Sequence, residues 1–237
     1  MAQPRTSKPD TRLHFRTAWQ ALGRLRQDPD RTDEVFVIVR ALSGRSGERQ
    51  YRRFRKTALG QRILAEKRDL LATLRDREAL AALPEGSLGR AYHDFTEREQ
   101  ISADGLVEAS HTVERVEIDE DRTRFFDRLR DCHDLQHVAT GWGRDLMGEV
   151  SVLAFDTAQA WHHGIALIVA QVYWSGGPEV RAMIRTAWRR GKKARFLDHA
   201  DWERLLPLPL DQVRAELELG DPPVYEPVWS AGAPASA

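Results

Sequence analysis

Apolar residues recur every three or four positions along most of this chain, a spacing that predicts amphipathic helices rather than strands. One long stretch, 101–118, shows little periodicity, and we expect an irregular connection with one short strand there. The pattern predicts helices over 15–27, 48–58, 61–80, 89–98, 119–140, 147–173, 179–190, 201–206 and 209–219, with another that begins at a cap on Thr32 or Asp33. The sequence therefore predicts an all-α fold.

The length of the chain, 237 residues with 41% hydrophobic composition, is enough for one good-sized domain. We expect a single helical domain over 15–219. Residues 1–14 are polar with two prolines and predict a disordered tail, and 220–237 predict a frayed C-terminal tail. The second half of the predicted helix 147–173 is apolar most of the way round, so this helix should be buried or line an apolar cavity.

The pattern H-D-x-x-H, followed after eleven residues by E, contains the candidate chemistry. His133 and His137 stand four positions apart, so they lie on one face of a helix, one turn apart. This is the spacing at which two imidazoles can bind one metal ion. Asp134 adds a carboxylate oxygen beside them. A surface pair or a half-buried polar network is the alternative explanation of this short motif.

Glu149 cannot reach the same ion on a straight helix, because twelve residues at about 1.5 Å each would place it about 18 Å from His137. The chain must turn back, and Gly141-Trp142-Gly143 is the place for that turn. We therefore predict a second helix that opens near Met147 with Glu149 in its first turn, where a carboxylate suits the helix dipole.

The candidate ligands are two nitrogens and up to two carboxylates, with no thiolate. This set suits zinc in an open site, and also manganese or ferrous iron. Cys132 is interpreted as a small buried apolar residue. The extra imidazoles His162 and His163 are interpreted as surface or core residues rather than ligands.

The net charge is zero, but residues 1–80 carry 19 Lys/Arg against 10 Asp/Glu. This basic part could meet anionic lipid or an acidic partner, or it could be a solvated helical surface. Nucleic-acid binding is not expected, since a basic stripe with stacking aromatics is missing. A single cysteine suggests a reducing compartment. The first twenty residues lack the apolar core of a signal peptide, and no apolar run approaches the 18 residues of a membrane span.

Four segments carry a resemblance to a known family. They are LPEGSLGRAYHDF (83–95), RLRDCHDLQHVATGWGRDLMGEVSVLAFDTAQ (128–159), WRRGKKARF (188–196) and WERLLPLPLDQVRAELEL (202–219). The chain resembles the ubiquinone (coenzyme Q) biosynthesis protein 4 family. The segment 172–183 departs from the family pattern, being shorter and more polar.

The resemblance implies an all-helical fold and a divalent metal, usually zinc, with His133, Asp134, His137 and Glu149 as ligands. It implies work on polyprenylated hydroxybenzoate intermediates, with loss of the carboxylate from ring carbon 1 and hydroxylation there. It also implies organisation of the biosynthetic enzymes at a membrane, by peripheral contact. We expect a homo-oligomer at the cytoplasmic face of a bacterial inner membrane, or at the matrix side of the mitochondrial inner membrane in a eukaryote.

Two other functions compete with this one. The first is a non-catalytic scaffold that binds prenyl lipid and partner enzymes and holds a structural metal. The second is a zinc hydrolase, because H-D-x-x-H is close to the H-E-x-x-H of metalloproteases; here, however, Asp134 stands where the catalytic Glu would be. No catalytic residue is assigned beyond the metal site.

Overall fold

A computed structural model describes residues 12–28, 30–104 and 119–229, and helices make up most of these ranges. No β-strand occurs in them, which confirms the predicted all-α class. The helices are α1 Phe15–Gln27, α2 Thr32–Ala41, α3 Ser46–Phe54, α4 Ala58–Ala65, α5 Leu70–Arg75, α6 Arg77–Ala81, α7 Leu88–Arg98, α8 Glu120–Asp131, α9 His133–Thr140, α10 Leu146–Gln159, α11 His163–Ser175, α12 Pro178–Lys193, α13 Trp202–Leu205 and α14 Leu210–Glu216, with a 3₁₀ turn at Leu197–His199.

Short polar side chains begin many of these helices, because their oxygens accept the first free backbone N–H groups. The residues that cap in this way are Thr57, Asp69, Asp76, Ser87, Asp119 and Asp145. Helix α2 is different: its N-cap is Arg31, which makes no side-chain cap hydrogen bond, so the predicted cap at Thr32 or Asp33 is wrong.

Three predicted helices are each divided in the structure. The stretch 61–80 lies across α4, α5 and α6. The stretch 119–140 is α8 and α9, joined at Cys132, which keeps nearly helical angles (φ −82°, ψ −2°).

The predicted strand within 101–118 falls mostly on residues 105–118, which lie outside the described ranges.

The predicted helix 147–173 is α10 and α11, separated at extended Ala160. A tertiary contact explains the break. A Cβ on Gly164, in the first turn of α11, would stand only 2.8 Å from the Ile38 carbonyl oxygen. The start of α11 therefore packs tightly on the backbone of α2, and a continuous helix would not reach it.

The main core surrounds α10. Gly191 of α12 allows the closest approach, because a Cβ there would lie 2.5 Å from the Phe155 carbonyl oxygen. Leu135, Trp142 and Phe155 are almost fully buried in this core. Smaller clusters form between α1, α2 and α11 and around Phe54. Helix α10 is thus held from several sides.

Backbone hydrogen bonds join two of the segments that carry the family resemblance. The N–H groups of Leu88 and Gly89 donate to the carbonyls of Leu208 and Leu206, at 2.9 and 2.8 Å. Gly86 adopts the left-handed conformation (φ 78°) that its turn requires. These bonds fix the start of α7, which packs against α9.

No helix in the described ranges is long and apolar enough to cross a bilayer. The longest, α12, has 16 residues.

Candidate metal centre

Helix α9 carries both histidines of the motif, and α10 brings Glu149 back to them. His133 and His137 lie one turn apart on α9, which ends at Gly141 in the left-handed conformation (φ 82°). Asp145 caps α10, and Glu149 lies in its first turn. The helix, glycine turn and second helix that the sequence predicts are therefore present as expected.

Three atoms from these residues converge on one point. The Nε2 atoms of His133 and His137 are 3.2 Å apart, and Glu149 Oε2 is 3.5 Å from each of them. Ligand atoms around a tetrahedral zinc, at about 2.0–2.1 Å from the ion, stand about 3.3 Å apart. The three donors therefore fit a single small divalent ion without rearrangement of the backbone.

The loop between the two helices orients one imidazole. His137 Nδ1 lies 3.1 Å from the carbonyl oxygen of Trp142, which can only accept a hydrogen bond. The proton therefore sits on Nδ1, and the lone pair of Nε2 faces the other two ligands. The His137 ring is fully buried and stacks on Phe95.

Charge in the cluster is strongly coupled. Burial lowers the pKa of His133, but its hydrogen bond to Glu149 and the charge of that carboxylate outweigh burial and raise the pKa to about 9. Burial alone would raise the pKa of Glu149, yet the two imidazoles hold it far below its ordinary range. The site thus binds positive charge, and a proton and a metal cation compete for the same lone pair.

One side of the cluster reaches solvent. The side chains of His133 and Glu149 are 22% and 35% exposed, whereas His137 forms the buried wall. Arg144 stands at the open side, with its Nε 4.0 Å from Glu149 Oε1. A ligand that approaches from solvent would therefore meet a guanidinium beside the three donors.

Asp134 does not join the cluster in the structure. It is buried, and it follows His133 directly on α9, about 100° around the helix from that imidazole. Its charge acts on the phenol of Tyr92, whose pKa is raised first by burial and then by Asp134. The ligand role of Asp134 stays a prediction, and the geometry favours an outer position.

The comparison with known families decides what kind of chain this is. The sequence model of the coenzyme Q (ubiquinone) biosynthesis protein Coq4 matches residues 11–223. The chain belongs to the Coq4 family.

Relatives and a solved structure agree with this assignment. The zebrafish (Danio rerio) ubiquinone biosynthesis protein COQ4 homolog, mitochondrial, is 29% identical over 208 residues, which cover 84% of this chain and 73% of the relative. The COQ4 protein of Eremothecium gossypii, also named mitochondrial, is 30% identical over 70% of this chain and 51% of its own length. A crystal structure from Nostoc punctiforme, assigned to ubiquinone biosynthesis, has a TM-score of 0.63 and 20% identity, and covers 89% of this chain and all of its own. The last match supports the fold.

The sequence analysis did not predict two residues that lie near the metal centre of this Coq4-family protein. Asp156 lies two turns after Glu149 on α10, and burial raises the pKa of its carboxyl to about 7, against the effect of the two imidazoles. The i+7 spacing from Glu149 is the signal that could have identified it. The second residue that the sequence analysis did not predict is Arg144. Its position in the loop just before α10 is the only sequence feature that indicates a place near the site.

Other candidate donors lie outside the centre. His162 is buried, caps α11 by accepting the Gly164 N–H at 3.2 Å, and has a pKa lowered to about 4 by burial. His163 is exposed. Cys132 is buried, which raises the pKa of its thiol well above its ordinary value. None of these three residues belongs to the cluster of His133, His137 and Glu149 in the described part of the chain.

Proposed function

We propose that this Coq4-family protein performs a metal-dependent step on polyprenylated hydroxybenzoate intermediates of ubiquinone synthesis. The step is loss of the carboxylate from ring carbon 1 with hydroxylation at the same carbon. The observation that supports catalysis most directly is the open side of a three-ligand centre: His133, His137 and Glu149 converge, and two of them are partly exposed. Structural zinc sites usually have four protein ligands, whereas catalytic sites leave a position free.

Zinc is the metal we propose, since two imidazoles and one carboxylate at near-tetrahedral spacing suit it, with iron or manganese as the alternatives. When bound, such an ion supplies a Lewis acid for the phenol and carboxylate oxygens of the substrate. Replacing the carboxylate by hydroxyl releases CO₂ and removes two electrons from the substrate. We propose dioxygen as the oxidant, reduced to hydrogen peroxide, with water completing the balance.

The chain's own groups have distinct parts in this proposal. The Arg144 guanidinium, at the open side, is available to pair with the substrate carboxylate. The buried side chains of His137 and Phe95 would exclude water from one side of the substrate's aromatic ring. The prenyl chain would lie between α11 and α12, where a depression of about 280 Å³ is lined by Tyr173 of α11 and by Ile184, Arg185, Trp188 and Arg189 of α12.

A cell-based test of this function uses Glu149→Gln, which keeps the size of the side chain but removes the charge that binds a cation. In cells that lack their own family member, we expect wild type to restore ubiquinone and Glu149→Gln to accumulate an intermediate that still carries the ring carboxylate. Mass spectrometry of the lipid extract measures both. Glu85→Gln, an exposed residue of the LPEGSLG turn, is the matched control and should behave as wild type.

The same experiment separates catalysis from scaffolding. If Glu149→Gln restores normal ubiquinone and still captures the other biosynthetic enzymes, the catalytic proposal is wrong. A prenyl-lipid-binding scaffold with a structural metal would then be the better assignment.

Peripheral membrane contact is proposed through α1. Phe15 and Trp19 lie one turn apart on this helix and are 66% and 68% exposed, beside the exposed guanidinium of Arg16. Exposed aromatic and basic residues on one helix are typical of contact with an anionic bilayer surface. The location we propose for this chain is the cytoplasmic face of a bacterial inner membrane. We also propose that the protein is a homo-oligomer, and light scattering would test this by measuring its molar mass in solution.

Vesicle sedimentation tests the membrane contact. We expect wild type to pellet with anionic vesicles that carry a prenylated ligand, and the double variant Phe15→Ser/Trp19→Ser to stay largely in the supernatant. The control is Val224→Ser, which also removes an exposed apolar side chain. Equal sedimentation of the double variant and wild type would show that α1 is not the contact.

A further inference from the structure

We infer that Tyr225 is a positioning residue of the metal centre, and that residues 221–229 form a strap that holds the loop between the two ligand-bearing helices. This inference rests on the proposed metal-dependent function and adds a residue that acts on the ligands through that loop. The sequence predicts a frayed tail from residue 220 onward. The structure instead describes specific hydrogen bonds in this segment up to Val228, while residues 230–237 lie outside the described ranges.

The phenol of Tyr225 joins two points of the loop. Its hydroxyl donates to Asp145 Oδ2 at 2.6 Å and accepts the N–H of Gly143 at 2.9 Å. Burial and the neighbouring Asp145 carboxylate both raise the pKa of this phenol. The hydroxyl therefore keeps its proton and remains a donor to Asp145.

The second carboxylate oxygen of Asp145 links the strap to α10. Asp145 Oδ1 accepts the N–H of Val228 at 3.0 Å and the N–H of Met147 at 3.0 Å. The N–H of Leu146 in turn donates to the carbonyl of Val228 at 2.8 Å. Asp145 is almost fully buried, whereas Leu146 and Val228 are exposed, so the hydrogen bonds to the Asp145 carboxylate are better shielded from water than the bond between the two backbones.

The strapped loop determines the position of two ligands. The Trp142 carbonyl, inside the loop, orients the ring of His137 at 3.1 Å. The Asp145 cap, at its end, sets the first turn of α10 and so the position of Glu149. A displacement of this loop would move an imidazole and a carboxylate of the centre at the same time.

Close packing indicates that the strap can occupy only one position against the loop. A Cβ on Gly141 would stand 2.4 Å from Pro222 Cβ, and one on Gly148 would stand 2.8 Å from the Tyr225 hydroxyl. From the other side, Arg190 lies over the Trp142 ring at 4.4 Å and donates to the Thr140 carbonyl at 2.9 Å. The loop is thus held between α12 and the strap.

The test compares Tyr225→Phe with Tyr51→Phe, each of which removes one phenol hydroxyl. Tyr51 is almost fully buried in the cluster around Phe54, away from the loop. With Co²⁺ as the probe, we expect Tyr225→Phe to weaken binding roughly tenfold to hundredfold, as supporting residues of metal ligands commonly do. We also expect a changed visible spectrum of the bound cobalt. Tyr51→Phe should match wild type in both.

A second readout keeps this inference separate from the proposed function. Hydrogen exchange of residues 141–149 in metal-free protein should be faster in Tyr225→Phe than in wild type. If wild type binds cobalt, equal affinity and spectrum in Tyr225→Phe overturn the inference. If wild type binds no cobalt, the proposed metal function fails, and unchanged hydrogen exchange in the variant then overturns the strap as well.

Discussion

His137→Ala is expected to lose between about sixtyfold and seven-hundredfold in zinc affinity. Apparent binding free energies of ~10–16 kcal/mol for four-ligand zinc sites correspond to about 2.5–4 kcal/mol per ligand, and ~1.4 kcal/mol is a factor of ten. His137 is the ligand with the most complete support, since its ring is buried and stacked on Phe95, and the Trp142 carbonyl holds its Nδ1 proton. Competition with a chromophoric chelator measures the affinity.

The matched control is His162→Ala, which removes another buried imidazole. His162 caps α11 through Nδ1 and lies outside the cluster of three donors. It should cost stability without a change in zinc affinity. If His137→Ala binds zinc as tightly as wild type, the ligand assignment is contradicted; if both variants lose zinc equally, the loss reports unfolding rather than a missing ligand.

Gly148→Ala is expected to destabilise the fold by about 3 kcal/mol or more and to weaken metal binding. A Cβ at this position would stand 1.9 Å from the carbonyl oxygen of Gly143, so the loop or α10 must move. Glu149 is the next residue and would move with the helix. Denaturant unfolding measures the stability, and the cobalt spectrum measures the geometry of the site.

Gly23→Ala is the control for this substitution. Gly23 lies within α1, and an added Cβ would meet nothing within 4 Å. Replacing a glycine in an exposed helix interior by alanine should stabilise the protein by about 0.5–1 kcal/mol. A Gly148→Ala variant as stable as wild type would show that the close contact with Gly143 is relieved at little cost.

The parts of the centre that the sequence predicts depend on short-range geometry. The i,i+4 spacing of His133 and His137, the turn at Gly141 and the place of Glu149 in a first turn all follow from the dimensions of a helix and its ends. The structure confirms each of them. The all-α class follows equally from the apolar periodicity.

The parts that the sequence did not predict depend on residues far apart in the chain. The break before α11 arises where Gly164 packs on the backbone of Ile38, more than a hundred residues away in sequence. The hydrogen bond of Tyr225 to Asp145 spans 80 positions. A polar tail rich in proline gives no local sign of such a contact, because its order comes from the loop that it covers.

The role of Asp134 is not decided by its place inside H-D-x-x-H, which suits either a fourth ligand or an outer hydrogen-bond acceptor. Neighbouring positions on a helix point about 100° apart, and the ligand role stays a prediction. The cluster accordingly contains His133, His137 and Glu149, and Asp134 lies buried outside it. For Asp156, seven positions after Glu149 on the same helix, burial raises the pKa of the carboxyl, and the charges of the two imidazoles act to lower it.

Elemental analysis of the purified wild-type protein tests the metal centre most directly. The triple variant His133→Ala/His137→Ala/Glu149→Ala, prepared in parallel, sets the background. We predict about one divalent metal per chain in wild type, zinc first, and only background metal in the variant. Wild-type protein with no more metal than the triple variant would contradict the metal centre and the reaction proposed for it.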